Sequence, residues 1–113
     1  MSIELIQGEE GYLRFAGDET TTYRELLDLA QKHGWEPLGT IGARSLHEDG
    51  SYSEEDPDWD GNYVTNDWQS VTKEDAGNLA EGLEKAGPQG DRYKECFRKK
   101  LIAFCREGAF HIG

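Results

Sequence analysis

The sequence predicts an α+β domain: three helices packed on a small antiparallel sheet, the second and third helices forming an α-hairpin. Three observations carry this. Apolar residues recur at helical spacing in three separate segments. The first residues show instead two short apolar runs around a glycine-flanked turn. A length of 113 residues suits one modest core and is too short for two. Residues 1–113 are therefore read as a single domain. The composition lies near the border of disorder, because Val, Ile, Leu and Phe supply only 21 residues against a net charge of −11. Three Trp, five Tyr and the clean periodicity argue for a folded chain.

Ile3 to Ile6 and Tyr12 to Phe15, separated by Gly8-Glu9-Glu10-Gly11, read as a hairpin. From Thr22 the period changes: Tyr23, Leu26, Leu27 and Ala30 line one helical face, and Thr22 with Glu25 fits a capping box. Gly34 after Lys32-His33 fits a left-handed cap, and Trp35 is placed to pack back on Leu29 or Ala30. A short strand is expected around Thr40 to Ser45, weakened by Gly39 and Gly42. An acidic loop follows at about 48–62, with seven carboxylates and no cation over 48–60. Thr72 with Asp75 makes a second capping box, opening a helix whose buried face is Ala76, Leu79, Ala80, Leu83 and Ala86. Gly77 and Gly82 inside it are expected to admit another element at close range. After Gly87-Pro88-Gln89-Gly90, Asp91 caps a third helix with a core stripe of Tyr93, Phe97, Leu101 and Phe104, ending at Gly108. The tail Ala109 to Ile112 is apolar enough for an edge strand or a packed extension.

Charge is unevenly spread. Residues 1–67 hold 16 Asp/Glu against 4 Lys/Arg, whereas residues 68–113 hold 7 against 8. An acidic surface of this kind repels nucleic acid and anionic membranes and speeds encounter with basic proteins or cations. The N-terminus shows no charged-then-apolar leader, and no run approaches the roughly 18 to 20 apolar residues of a membrane span. Cys96 and Cys105 fall on opposite sides of the third helix, so they cannot bridge, and two unpaired thiols suggest a cytoplasmic protein.

The most specific local pattern is Asp56-Pro57-Asp58-Trp59-Asp60-Gly61-Asn62 through Asp67, which matches the spacing of an EF-hand-type loop. Asp56, Asp58, Asp60 and Asp67 would be side-chain ligands for Ca2+, Gly61 would make the sharp turn, and Asn62 would offer a carbonyl. Against it, position 12 is Asp rather than Glu, position 2 is Pro, and no helix signal precedes the loop. A solvated acidic loop that happens to repeat Asp-x-Asp is the stronger reading of the pattern. His33, His47 and His111 lack the spacing of a transition-metal site. Gly34 to Thr40 outlines a phosphate loop without its Lys, and thiol catalysis would need an exposed, electropositive Cys. Arg92, Lys99 and Arg106 form a basic ridge on the third helix, read as the complement of the acidic half of the chain.

Two segments carry a resemblance: Asn62-Tyr63-Val64-Thr65-Asn66-Asp67-Trp68-Gln69-Ser70-Val71 leading into Glu74-Asp75-Ala76 and Leu79-Ala80, and Phe104-Cys105-Arg106-Glu107-Gly108-Ala109-Phe110-His111-Ile112. Together they resemble small bacterial proteins with a GNYxTNDxQxVxxxDAxxLAxAL core and an FCRxGxFxI end. The resemblance implies a bacterial or phage-associated origin and a small α+β domain; it implies no reaction and assigns no functional residue.

The expected function is non-enzymatic: an interaction domain whose acidic face meets a basic protein surface through Tyr52, Glu54, Glu55, Asp58, Trp59 and Asp60. Immunity proteins, antitoxin-like inhibitors and phage-encoded inhibitors are the class meant, since aromatic anchors supply interface energy while charges set encounter rate. The alternative is a Ca2+-binding domain built on Asp56 to Asp67. An enzyme comes third, and the oligomeric state is open.

Overall fold

The computed structural model describes residues 2–42, 45–46, 52–53 and 59–113, the two short middle pieces as backbone alone. It is an α+β domain. Strands β1 (Ser2–Gln7) and β2 (Gly11–Ala16) form the expected hairpin, followed by helix α1 (Glu19–Lys32). The two-residue strands β3 (Ser45–Leu46) and β4 (Tyr52–Ser53) pair with each other, apart from the main sheet. Strand β5 (Gln69–Val71) leads into α2 (Lys73–Ala86), α3 (Arg92–Arg106) and strand β6 (Phe110–Ile112). The main sheet runs β2-β1-β6-β5, antiparallel throughout.

Period-two alternation decides which side of the sheet meets the helices. Ile3, Leu5, Phe15, Val71, Phe110 and Ile112 point to one face and are buried with Leu26, Ala30, Leu79, Leu83, Phe97 and Leu101 from the three helices. Burial of this many large side chains, at about 1.5–3 kcal/mol each, is the main force opposing chain entropy.

The helix ends follow local chemistry, with two departures from the sequence reading. Thr22 lies inside α1 rather than at its start; Asp18 precedes the helix, and the Glu19 carboxylate accepts from the Ala16 amide at 3.0 Å. At the other end the Trp35 amide donates to the Ala30 carbonyl (2.9 Å) and the Gly34 amide to Gln31 (3.3 Å), with Gly34 at φ 103. That is the bonding of a Schellman cap, and Gly34 supplies the left-handed residue it needs. Thr72 caps α2 by accepting from the Asp75 amide (3.1 Å), but the Asp75 side chain does not return the bond; it turns into the core. Asp91 caps α3 through the Lys94 amide at 2.8 Å. Gln7 reaches across from β1 and donates to the carbonyls of Phe104 (3.1 Å) and Gly108 (3.0 Å), satisfying the last turn of α3.

Four further expectations are corrected. Tyr93 is 75% exposed and lies off the core stripe, which continues instead through Cys105. Ala86 is partly exposed at the end of α2. The tail strand β6 is interior, between β1 and β5. The strand expected over Thr40 to Ser45 reduces, among the described residues, to a single bridge of Ile41 to Ser70 and the separate pair at Ser45–Leu46. The last of these has a plain cause: β5 is only three residues long, and it offers its outer edge to one residue, not to a strand.

The helix hairpin is held by Arg98, which is almost fully buried. Its guanidinium donates to the Leu83 carbonyl (2.9 Å) and to both oxygens of Glu95 (2.6 and 3.0 Å). Arg98 and the Gln89 amide hold the Glu95 carboxyl down at about 2. Lys99 also reaches Glu95, at 3.9 Å, while Arg106 pairs with Glu84, so these ridge cations answer carboxylates of the same hairpin and not of the acidic half.

Of the two glycines in α2, only Gly82 meets a neighbour. A Cβ there would lie 2.8 Å from the Ala30 carbonyl oxygen and 3.2 Å from the Trp35 Cβ, whereas one at Gly77 would have nothing within 4 Å. Gly82→Ala is therefore expected to lower stability by about 1–3 kcal/mol and Gly77→Ala to raise it by up to about 1 kcal/mol, read from urea midpoints. Glu95 gives a second expectation. Its carboxyl titrates lower in the fold than the ordinary 4.5, so its stabilising effect is complete above about 4.5 and fades as pH falls toward 2. Glu95→Gln should flatten the fall of the urea midpoint across that window; an unchanged slope would show that the ion pair is idle.

Candidate functional site

Asp75 organises the polar part of the molecule. It is fully buried in the first turn of α2, and its carboxylate accepts from the Trp35 indole (3.0 Å), the Leu38 amide (3.2 Å) and the Tyr63 hydroxyl (2.5 Å). The Tyr63 hydroxyl accepts in turn from the Gly39 amide (2.9 Å), and its carbonyl accepts from the buried Tyr23 hydroxyl (2.8 Å). Burial raises the Tyr63 phenol well above its usual range, and the Asp75 hydrogen bond and charge raise it further. Tyr23 is raised by burial alone in the main, and burial pushes the Cys105 thiol up to about 12. Such a thiol is protonated and inert; Cys96 is the exposed one.

Around this hub the segment 61–71 is tied down residue by residue. Asn62 Oδ1 accepts from the amides of Val64 (2.9 Å) and Thr65 (3.0 Å), folding the chain into a turn. Asn66 donates to the Ser2 carbonyl (2.6 Å) and accepts from the Glu4 amide, fastening the segment to β1. Gln69, buried, donates to the Thr65 carbonyl (2.6 Å) and accepts from the Asp67 amide (2.9 Å). The Asn, Tyr, Thr, Asn and Gln of the motif are thus framework residues.

Of the expected partner-binding residues, Glu54, Glu55 and Asp58 lie outside the described residues, and Tyr52 is placed only by its backbone in β4. Trp59 is partly buried, its indole donating to Thr40 Oγ1 (2.9 Å), which donates to the Asn62 carbonyl (2.6 Å). Asp60 is exposed and accepts from the Asn62 side chain (2.7 Å) and amide (3.1 Å); the side-chain bond first, then the amide, lowers its carboxyl. Of the expected calcium ligands, Asp56 and Asp58 lie outside the described residues, while Asp60 and Asp67 are exposed. Gly61 has the positive φ, 75°, that a sharp turn at the sixth position wants. The Asn62 carbonyl, the seventh-position ligand, faces the Thr40 hydroxyl and accepts from it. Among the described residues no three His, Cys, Asp or Glu side chains converge as a metal site.

Two surfaces remain that the sequence reading missed. One is a groove of about 340 Å³ between the end of α1 and the outer side of α2, lined by His33, Glu36, Leu38, Glu74 and Glu81, with Lys85 held on Glu81 at 3.2 Å. Leu38 stands 57% exposed at it. The other is the side of the sheet away from the helices, where Trp68 stacks on His111. Neither could be read locally, since each joins segments at least some thirty residues apart in the chain. No helix among the described residues is long and apolar enough to cross a membrane. Compared with protein-family models, with curated proteins and with solved structures, the chain matches none.

Tyr63→Phe tests the hub. It removes one donor from a buried carboxylate and the acceptor of the Gly39 amide, so a loss of about 1–3 kcal/mol in urea unfolding is expected. A loss near zero would mean that water replaces the phenol.

Proposed function

We propose that this chain is a non-enzymatic interaction domain that presents an acidic surface to a basic protein. The supporting observation is how its charges are spent. Five cations of residues 68–113 sit on carboxylates: Arg98 and Lys99 on Glu95, Arg106 on Glu84 and Lys85 on Glu81 within the helical half, and Lys94 on Glu25 of α1. With a net charge of −11, the surplus falls on carboxylates of the first 67 residues, and the groove of Glu36, Glu74 and Glu81 beside Leu38 adds an acidic recess with an apolar rim. A lysine or arginine side chain with its aliphatic stem fits such a recess. Inhibitors of the immunity, antitoxin or phage type work in this manner, acting in the cytoplasm on proteins whose own basic surfaces bind nucleic acid.

A calcium-binding role for Asp56 to Asp67 has the Gly61 turn in its favour and the Thr40 hydrogen bond to the Asn62 carbonyl against it. In that reading millimolar Ca2+ alters the fluorescence of Trp59 and Trp68; an unchanged spectrum removes it.

Affinity capture from the native host, followed by mass spectrometry, tests the main reading. A basic protein is expected to be retained at about 50 mM salt and released by about 500 mM, because screening shortens the reach of exposed charges. Retention of no basic protein at low salt overturns the reading.

A further inference from the structure

The sheet has a second face, and among its polar residues it leaves three large apolar or aromatic side chains open to solvent. On this side Ile6 stands opposite Tyr12 of β2 and His111 of β6, His111 opposite Ser70 of β5, and Ser70 opposite Ile41, so one row crosses every strand. Tyr12 is 56% exposed, Trp68 48% and Ile41 36%. Directly opposed side chains on one face lie close enough to act as a single contact surface.

Trp68 is the unusual member. Its φ is 62°, the left-handed region that glycine or asparagine occupies at low cost and a bulky residue does not. The strained backbone is held by its amide, which donates to the Ile112 carbonyl at 2.8 Å. The ring is held by the stack on His111, with centroids 4.4 Å apart and planes 6° from parallel. His111 Nδ1 lies 3.1 Å from the Trp68 carbonyl oxygen and 3.3 Å from Ser70 Oγ, which fixes the imidazole. A strained, half-exposed and immobilised indole is a contact prepared in advance, since little side-chain entropy is left to lose on binding.

The charges at this face have one dominant sign. Glu9 and Glu10 are exposed at the turn joining β1 and β2, Asp67 is exposed beside Trp68, and Glu4 accepts from the Tyr12 hydroxyl at 2.7 Å. Against them stand Arg14, 3.8 Å from Glu4, and Lys100, which shares a groove with Tyr12 at the β2 edge.

We infer that this open sheet face is a docking surface for a cationic protein segment, with Trp68 and Tyr12 as its aromatic anchors. Apolar side chains of the segment lie along the Ile6 row, while its lysines and arginines meet the acidic rim and the aromatic rings. The inference rests on the reading that the chain binds a basic protein, and it moves the contact from the acidic loop to the sheet.

The experiment titrates the isotope-labelled protein with a synthetic peptide of repeating Lys-Leu-Arg-Leu, and with a control in which glutamate replaces both basic residues. The expected result is saturable binding of the basic peptide only, with amide shifts at Ile6, Tyr12, Ser70 and His111 and a shift of the Trp68 indole. Trp68→Gly, which relieves the backbone, should keep the melting temperature within a few degrees yet weaken binding about tenfold, and Tyr12→Ser should weaken it about fivefold. If Trp68→Gly fails to fold, Tyr12→Ser decides alone. Binding that shifts the Glu36, Glu74 and Glu81 groove instead, with both variants unaffected, overturns the sheet-face inference and leaves the acidic-surface reading standing. Absence of any binding at low salt overturns both. Equal binding of the acidic control, or dimerisation of the free protein through the same residues in sedimentation, overturns the choice of a cationic segment.

Discussion

The burial of the Asp75 carboxylate is the constraint on which the polar architecture depends. A carboxylate withdrawn from water without partners would cost several kcal/mol, and among the described residues it meets no cation. Its donors come from three places: the Trp35 indole just past α1, the Leu38 amide of the segment that follows, and the phenol of Tyr63 well beyond both in the chain. One buried group therefore fixes where α1 ends, how residues 35–40 run and where the 61–71 segment sits. The Schellman cap at Gly34 turns Trp35 inward, and Gly82 makes room for that turn by presenting bare backbone to Ala30. Cap, glycine and carboxylate form one assembly in which each is useful only with the others.

The helices were legible because their signals are local. The Tyr23, Leu26, Leu27 and Ala30 face, the Thr72 and Asp91 caps and the glycine stop at Gly34 are all settled within a few residues of chain, and the structure has them. The errors arise where a distant partner outbids the local one. Asp75 reads as a capping-box acid until Trp35 and Tyr63 are brought to it. Phe110–Ile112 reads as an edge because three residues cannot announce a neighbour on each side, and β5 was invisible because Gln69, its buried first residue, is polar. Tyr93 keeps the helical spacing of the core stripe but stands one turn too early to reach the sheet.

The segment 61–71 carries a related lesson. Read along the chain, it offers Asp67 and the Asn62 carbonyl to a cation and leaves its other polar side chains without a role. In the fold Asn62, Thr65, Asn66 and Gln69 are spent on the chain itself, holding a short irregular segment against β1 and into β5 without the ladder of a longer strand. Polar side chains at close spacing are as often the fastening of a loop as its chemistry, and only the bonding partners separate the two. The residues left unspent, Trp68 among them, are where function has room.

The position of β6 has a consequence for how the domain is made. It is the last described element of the chain, yet it lies between β1, the first, and β5. The β1–β2 hairpin and the three helices can form as the polypeptide emerges, but the two halves of the sheet have nothing to join them until Phe110–Ile112 is available. During synthesis the nascent chain therefore holds an unclosed hydrophobic seam, and closing it requires the longest-range pairing in the molecule, the slow kind of step in folding. Completion of the fold is thereby coupled to the arrival of three residues, so this short strand sets when the sheet can close as well as forming part of it.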